Sequence, residues 1–142
     1  VDRDETHFEA VKAAIIETEL TSRIRIEGAL SGEALEKAYT EADIFCLPSR
    51  YEGYGMVFAE AMMRALPIVA CDAGAVAELV PPRAGILTPV NDPDAMAEAL
   101  EELLEDAPFR DMMGDAGRKH ALTIPGWDET WAKVRAALEA KS

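Results

Sequence analysis

The stretch SRYEGYGMVFAEA, residues 49–61, sets a glutamate on each side of a glycine-bearing turn. Glu52 stands just before Gly53-Tyr54-Gly55, and Glu60 stands eight residues after Glu52 in an almost wholly apolar run. An ionised carboxylate is an acceptor-only group that can take two hydroxyls at once, as recognition of a ribose diol demands. Gly53 and Gly55 allow close backbone approach or positive φ. A helix opening directly after them presents free N–H groups and the positive end of its dipole, which suits phosphate. A G-x-G also serves any tight strand-to-helix turn, so the glycines alone do not decide the matter. An eight-residue step spans at most about 12 Å if wholly helical, roughly the reach from a sugar across a diphosphate to a ribose. Glu52 is then placed to meet sugar hydroxyls and Glu60 to hold the ribose. The competing account of Glu60 is an i,i+4 pair with Arg64, worth a few tenths of a kcal/mol. That account does not explain an acid among Phe58, Ala59, Ala61, Met62 and Met63, where a carboxylate is costly unless hydrogen-bonded.

The elements that must position these groups follow from periodicity. Residues 5–20 carry Phe8, Val11, Ala14, Ile15 and Ile16 at helical spacing. RIRIEG (23–28) alternates like a strand, and Ser31 is a candidate N-cap for a helix whose Leu35, Ala38, Tyr39 and Ala42 share one face. DIFCLP (43–48) and PIVACD (67–72) are short apolar runs of the kind covered on both faces. Between them MVFAEAMMRA (56–65) reads as a helix with little solvent-facing surface. A short helix near 76–80 and a strand at 85–88 follow. Asp92 then caps a helix, with Pro93 in its first turn, expected to bury Met96, Leu100, Leu103 and Leu104. Further helices are expected around 109–122 and 127–140, with Trp127 and Trp131 as packing anchors. The alternation predicts one domain over residues 1–142: an α/β open parallel, Rossmann-like sheet with helices on both faces. Ligands bind such sheets outside the carboxyl ends of the strands, where the Gly28, 48–53 and 72–74 segments all fall.

The remaining features narrow the function classes. Twenty-seven acidic against fourteen basic residues give a net charge of −13, which argues against nucleic acid and anionic membrane as partners. Cys46 and Cys71 read as buried hydrophobes in a reducing compartment, so a cytoplasmic location is expected. No apolar run approaches the length of a transmembrane segment, and VDRDET is no signal peptide. The absence of an initial Met suggests a piece of a longer protein. Asp92-Pro93-Asp94 matches a D-x-D metal pattern, but capping explains it at a helix start. The spacing of His7 and His120 matches neither a catalytic triad nor a metal set, and Asp72 and Glu78 read as structural or donor-adjacent rather than catalytic. No metal and no cofactor are expected.

With these residues in hand, the chain resembles the donor-binding half of retaining GT-B-fold glycosyltransferases, glycosyltransferase family 4 (glycosyl transferases group 1). The likeness runs from about residue 24 to 105: RIRIEGALSGEALEKAYTEADIFCLPS, then EGYGMVFAEAMMRALPIVA, DAGAVAELV and AGILTPVNDPDAMAEAL. Its most specific part is the E-x7-E pair inside PS-x-x-E-G-[FY]-G. The resemblance implies the incomplete C-terminal half of a GT-B fold and transfer of a hexose-type sugar from a nucleotide-sugar donor, with retention and without a metal. It assigns Glu52 as the acid facing the donor sugar and the single catalytic candidate. It assigns Glu60 to the ribose hydroxyls, the amides of Tyr54, Gly55, Met56 and Val57 to the sugar and diphosphate, Gly53 to donor binding beside them, and Gly28 to the loop bordering the base. Ala65-Leu66-Pro67 and Gly74-Ala75-Val76-Ala77 depart from the family's glycine positions. Nothing at residues 1–20 matches the strands that usually bring an arginine and a lysine onto the diphosphate. The isolated chain, lacking an N-terminal acceptor domain, is therefore expected to be inactive, to bind donor weakly and to be able to self-associate. The acceptor is not indicated. The alternative is a non-catalytic nucleotide-binding or protein-interaction module that keeps the fold.

Overall fold

The computed structural model describes residues 5–53 and 55–125, together with Ala132 and Ala136. The helix expected around 127–140, its two tryptophans and Tyr54 lie outside the described residues. The chain forms two compact units, Val1–Leu35 and Glu36–Ser142.

The first unit contains helix α1 (Glu5–Glu17). Its apolar stripe has the expected spacing, but Phe8, Val11 and Ile16 are exposed. On its surface Lys12 pairs with Glu9 at 2.9 Å and lies over the Phe8 ring. The expected strand at 23–28 does not form: the segment is turn and coil, and Ile24 and Ile26 are exposed. Alternation alone cannot hold a strand, because its amides need a neighbouring strand, and none of the described strands pairs with it. Helix α2 (Gly32–Glu41) follows and leads into the second unit.

Among the described residues, the second unit is built on three parallel strands in the order β1 (Phe45–Leu47), β2 (Ile68–Cys71), β3 (Gly85–Thr88). Phe45, Cys46 and Leu47 sit opposite Ile68, Val69 and Ala70, which sit opposite Gly85, Ile86 and Leu87. Parallel pairing requires crossovers, and α3 (Met56–Met63) and α4 (Val76–Leu79) supply them. Helices α5 (Pro93–Glu105) and α6 (Ala107–Ala121) complete the unit.

Side-chain alternation distributes the helices to both faces. On one face, Val69 joins Ala99 and Leu103 of α5 and Met113 of α6, with Ile44, Ile86, Met96 and Phe109 packed around them. On the other, the Phe45 ring meets Phe58 of α3 edge-on at 5.8 Å. The central strand is buried along its whole length, whereas β1 alternates. Cys71 is accordingly buried as expected, but Cys46 is exposed, because β1 is an edge strand. Leu104, expected in the core, is 63% exposed, because α5 presents Ala99 and Leu103 to the sheet instead.

Helix α6 seals the amino-terminal end of the sheet. A Cβ on Gly114 would lie 2.0 Å from the Ala65 carbonyl oxygen, and one on Gly117 would lie 3.3 Å from Ala84 Cβ. Ala84 immediately precedes β3, and Ala65 lies three residues before β2. A cavity of about 670 Å³ between α6 and Pro82-Arg83 also belongs to this end, away from the glutamates. The carboxyl-terminal edge is left to three loops.

The Asp92 cap forms as expected, with the carboxylate accepting from the Ala95 amide at 3.0 Å. Asp106 caps α6 in the same way through Phe109. Asp92→Ala is expected to lower stability by about 1 kcal/mol, the usual cost of an N-cap deletion, in a urea titration of the chain.

Candidate functional site

The loop after β1 is held by a small set of local bonds. Glu52 Oε1 accepts from the Gly55 amide at 3.1 Å, and Gly55 takes φ 73°, ψ 32° as the residue that opens α3. Only glycine adopts this left-handed geometry without strain. The Ala75 amide donates to the Glu52 carbonyl at 3.0 Å, so the loop after β2 braces the loop after β1. Gly74 makes that approach possible, because a Cβ there would stand 2.2 Å from the Glu52 carbonyl oxygen. By contrast, Gly53 has no left-handed φ and open space where a Cβ would go.

Glu60 is the fifth residue of α3, about 6 Å along the axis from Met56. The helix buries Phe58, Ala61 and Met62 and turns Met56, Glu60 and Met63 outward. Glu60 is therefore not lodged in an apolar interior, as the density of apolar neighbours suggested. It sits at the i+4 position of an exposed stripe. The i,i+4 pair with Arg64 is also not made through the carboxylate. Arg64 Nη1 donates to the Glu60 backbone carbonyl at 2.8 Å, and its guanidinium pairs with Glu36, with Nε 3.2 Å from Oε2. The Glu60 carboxylate instead accepts from the Tyr39 hydroxyl at 3.3 Å.

Tyr39 is 8% exposed. Its ring stacks on Phe45 with centroids 6.1 Å apart, and the Arg64 guanidinium lies 4.5 Å from its centroid. Burial, and secondarily the Glu60 charge, raise its pKa, so the phenol remains a donor through neutral pH. The Glu36 hydrogen bond raises the pKa of Arg64. Partial desolvation of the thiol, which lies 3.8 Å from Met96 Sδ, raises that of Cys46 although the residue as a whole is exposed.

Of the expected site residues, the structure joins Glu52 to Gly55 directly and sets Met56, Val57 and Glu60 on the helix that Gly55 opens. Gly28 lies in the first unit with φ 72° and open space around it. A second cavity of about 380 Å³ opens on the α5 side of the same edge, lined by Pro48, Arg50, Cys71, Asn91, Asp92 and Met96, and neither glutamate lines it. No group of three or more His, Cys, Asp or Glu that could hold a metal occurs among the described residues. Among them, no helix is long and apolar enough to cross a membrane. Tyr39, Glu36 and Gly74 are site-supporting residues that sequence reasoning did not single out. A tyrosine on the inner face of a helix, whose hydroxyl needs a partner, was the available signal for the first.

A three-stranded parallel sheet flanked by helices, with a glycine-opened helix at its carboxyl edge, defines a Rossmann-like α/β protein. More particularly, the model of the family "Glycosyl transferases group 1" matches residues 4–120, and the chain belongs to that family. It is similar to an MMP alpha-(1->4)-mannosyltransferase of Mycolicibacterium hassiacum, 34% identical over 128 residues, covering 88% of this chain and 31% of the relative. It is also similar to a D-inositol 3-phosphate glycosyltransferase of Corynebacterium diphtheriae, 34% identical over 122 residues, covering 85% of this chain and 27% of the relative. Among solved structures, sucrose-phosphate synthase from Thermosynechococcus elongatus superposes with a TM-score of 0.85 at 27% identity, over 96% of this chain and 35% of that one. The fold is thus a part of the GT-B type. The chain spans about three-tenths of the length of these relatives.

Proposed function

We propose that this chain is the donor-binding part of a retaining, metal-independent hexosyltransferase that uses a nucleoside diphosphate sugar. The observation that carries the reading is the state of the two carboxylates. Glu52 is braced at the mouth of α3 by the Gly55 amide and the Gly74-Ala75 loop. Glu60 is exposed on the same helix, takes a donor from Tyr39, and is not neutralised by Arg64. Family membership supplies the class of reaction, and two relatives carry mannosyltransferase names.

In this reading Glu60 accepts the 2′- and 3′-hydroxyls of the donor ribose. The amides at Tyr54, Gly55, Met56 and Val57, with the positive end of α3, hold the diphosphate. Gly53, open around its α-carbon, lets the sugar approach the backbone. Glu52 exchanges its bond to the Gly55 amide for hydroxyls of the sugar, which frees that amide for phosphate. Glu52 then orients the sugar and stabilises developing charge, while the leaving phosphate deprotonates the acceptor on the same face. The protein's contribution is positioning.

The test is an NMR titration of the chain with UDP and GDP, following the amides of residues 55–60. Saturable shifts centred on Gly55, Met56 and Val57 are expected, at millimolar ligand if binding is weak. Shifts that stay linear and unlocalised for both nucleotides would refute the assignment.

A further inference from the structure

We propose that Tyr39 is a positioning residue that presets Glu60 for a ribose diol, so that preference for ribonucleotide over dideoxyribonucleotide depends on a side chain that does not touch the ligand. The inference rests on the reading of Glu60 given above and concerns how that carboxylate is prepared.

An exposed glutamate on a helix samples several rotamers, and fixing one costs up to about 2 kcal/mol of side-chain entropy. Glu60 is exposed and lies on the outer stripe of α3, so a ligand would ordinarily meet that cost. Tyr39 changes the starting point. Its ring is held by Phe45 and by the Arg64 guanidinium, and burial restricts it further. Its hydroxyl therefore offers a donor at a fixed place, 3.3 Å from Glu60 Oε2. Because the tyrosine donates to Oε2, Oε1 and the remaining lone pair of Oε2 stay available for a pair of hydroxyls.

Arg64 contributes by where it does not go. Four residues after Glu60, it is in reach of an ion pair that would occupy the acceptor oxygens. Glu36 draws the guanidinium away, and the Glu60 backbone carbonyl holds its other end. The carboxylate is thereby oriented by a neutral donor, and its oxygens stay clear of an ion pair. Glu36, Tyr39, Glu60 and Arg64 form one connected set across α2 and α3, and a purely structural role for the tyrosine does not require its hydroxyl to end on the carboxylate.

The experiment compares the unmodified chain, Tyr39→Phe and Glu36→Gln in titrations with UDP and with 2′,3′-dideoxy-UDP, and with the corresponding guanosine pair. Tyr39→Phe keeps the ring and its stacking and removes only the donor. It is expected to weaken ribonucleotide binding about fivefold, because the ligand must then fix the Glu60 rotamer itself, and to leave dideoxynucleotide binding unchanged. Glu36→Gln, which releases Arg64 toward Glu60, is expected to shift the same ratio in the same direction. Thermal melts report folding separately, and Tyr39→Phe is expected to melt with the unmodified chain. If Tyr39→Phe keeps the unmodified ratio, or weakens both ligands equally, the positioning role is overturned while the ribose reading of Glu60 stands. If the unmodified chain binds ribo- and dideoxynucleotide alike, or binds neither, the reading of Glu60 fails and the inference falls with it.

Discussion

Glu60→Ala is expected to raise the dissociation constant for a ribonucleoside diphosphate by about 30-fold, equivalent to about 2 kcal/mol. The figure follows from losing two hydrogen bonds to an ionised acceptor, discounted for a site that stays open to water. The same substitution should hardly affect folding. The side chain is exposed and makes one hydrogen bond, to Tyr39, which at 3.3 Å is longer than the usual O–H···O range. Alanine also has the higher helix propensity, which offsets part of that loss. A titration paired with a thermal melt separates the two roles: binding is expected to fall while the melting temperature stays within about two degrees. A large drop in stability with unchanged affinity would make Glu60 a structural acid and remove the physical basis of the donor site.

The second large effect concerns a residue that contacts no ligand in the proposed site. Gly74→Ala is expected to destabilise the chain by about 3 kcal/mol, combining the cost of a left-handed φ for alanine with overpacking. Gly74 has φ 58°, and an added Cβ would lie 2.2 Å from the Glu52 carbonyl oxygen and 3.1 Å from its amide nitrogen. Backbone on both sides cannot yield as a flexible side chain would. The loop after β2 must withdraw, and the Ala75-to-Glu52 bond that braces the catalytic candidate is lost with it. Faster hydrogen exchange at the Ala75 and Gly55 amides, together with a lower midpoint in urea, would report this. Gly53→Ala is the internal control, since that position is open and has no left-handed φ; its stability is expected to change by less than about 0.5 kcal/mol. Equal effects at the two glycines would show that the loop contact carries no strain.

Local chemistry along the chain was sufficient for much of this site. Gly53 and Gly55 before an apolar run announced a turn of close approach or positive φ ahead of a helix; Gly55 takes the positive φ, Gly53 does not, and α3 begins at Met56. Asp92 before Pro93 announced a cap, and the carboxylate bonds Ala95 as expected. Strands at 43–48, 67–72 and 85–88 were readable because short apolar runs between helices leave few alternatives to a parallel sheet. These features depend on groups within a few residues of one another, whose geometry the backbone itself dictates.

What only the tertiary structure decided lies between residues far apart in the chain. An apolar run does not state which side of its helix meets the sheet, so Glu60 read as buried although α3 turns it outward. A strand's own residues do not state whether it will be central or at an edge, and Cys46 is exposed because β1 has a described neighbour on one side alone. RIRIEG had the alternation of a strand but no described strand to pair with. Tyr39 reaches Glu60 across 21 positions, Glu36 reaches Arg64 across 28, and Gly74 meets Glu52 across a crossover. Sheet register and helix packing bring those groups together, and both are properties of the whole assembly of elements. The types of group at the site were therefore written locally, whereas their exposure, their orientation and the partners that hold them came from the fold.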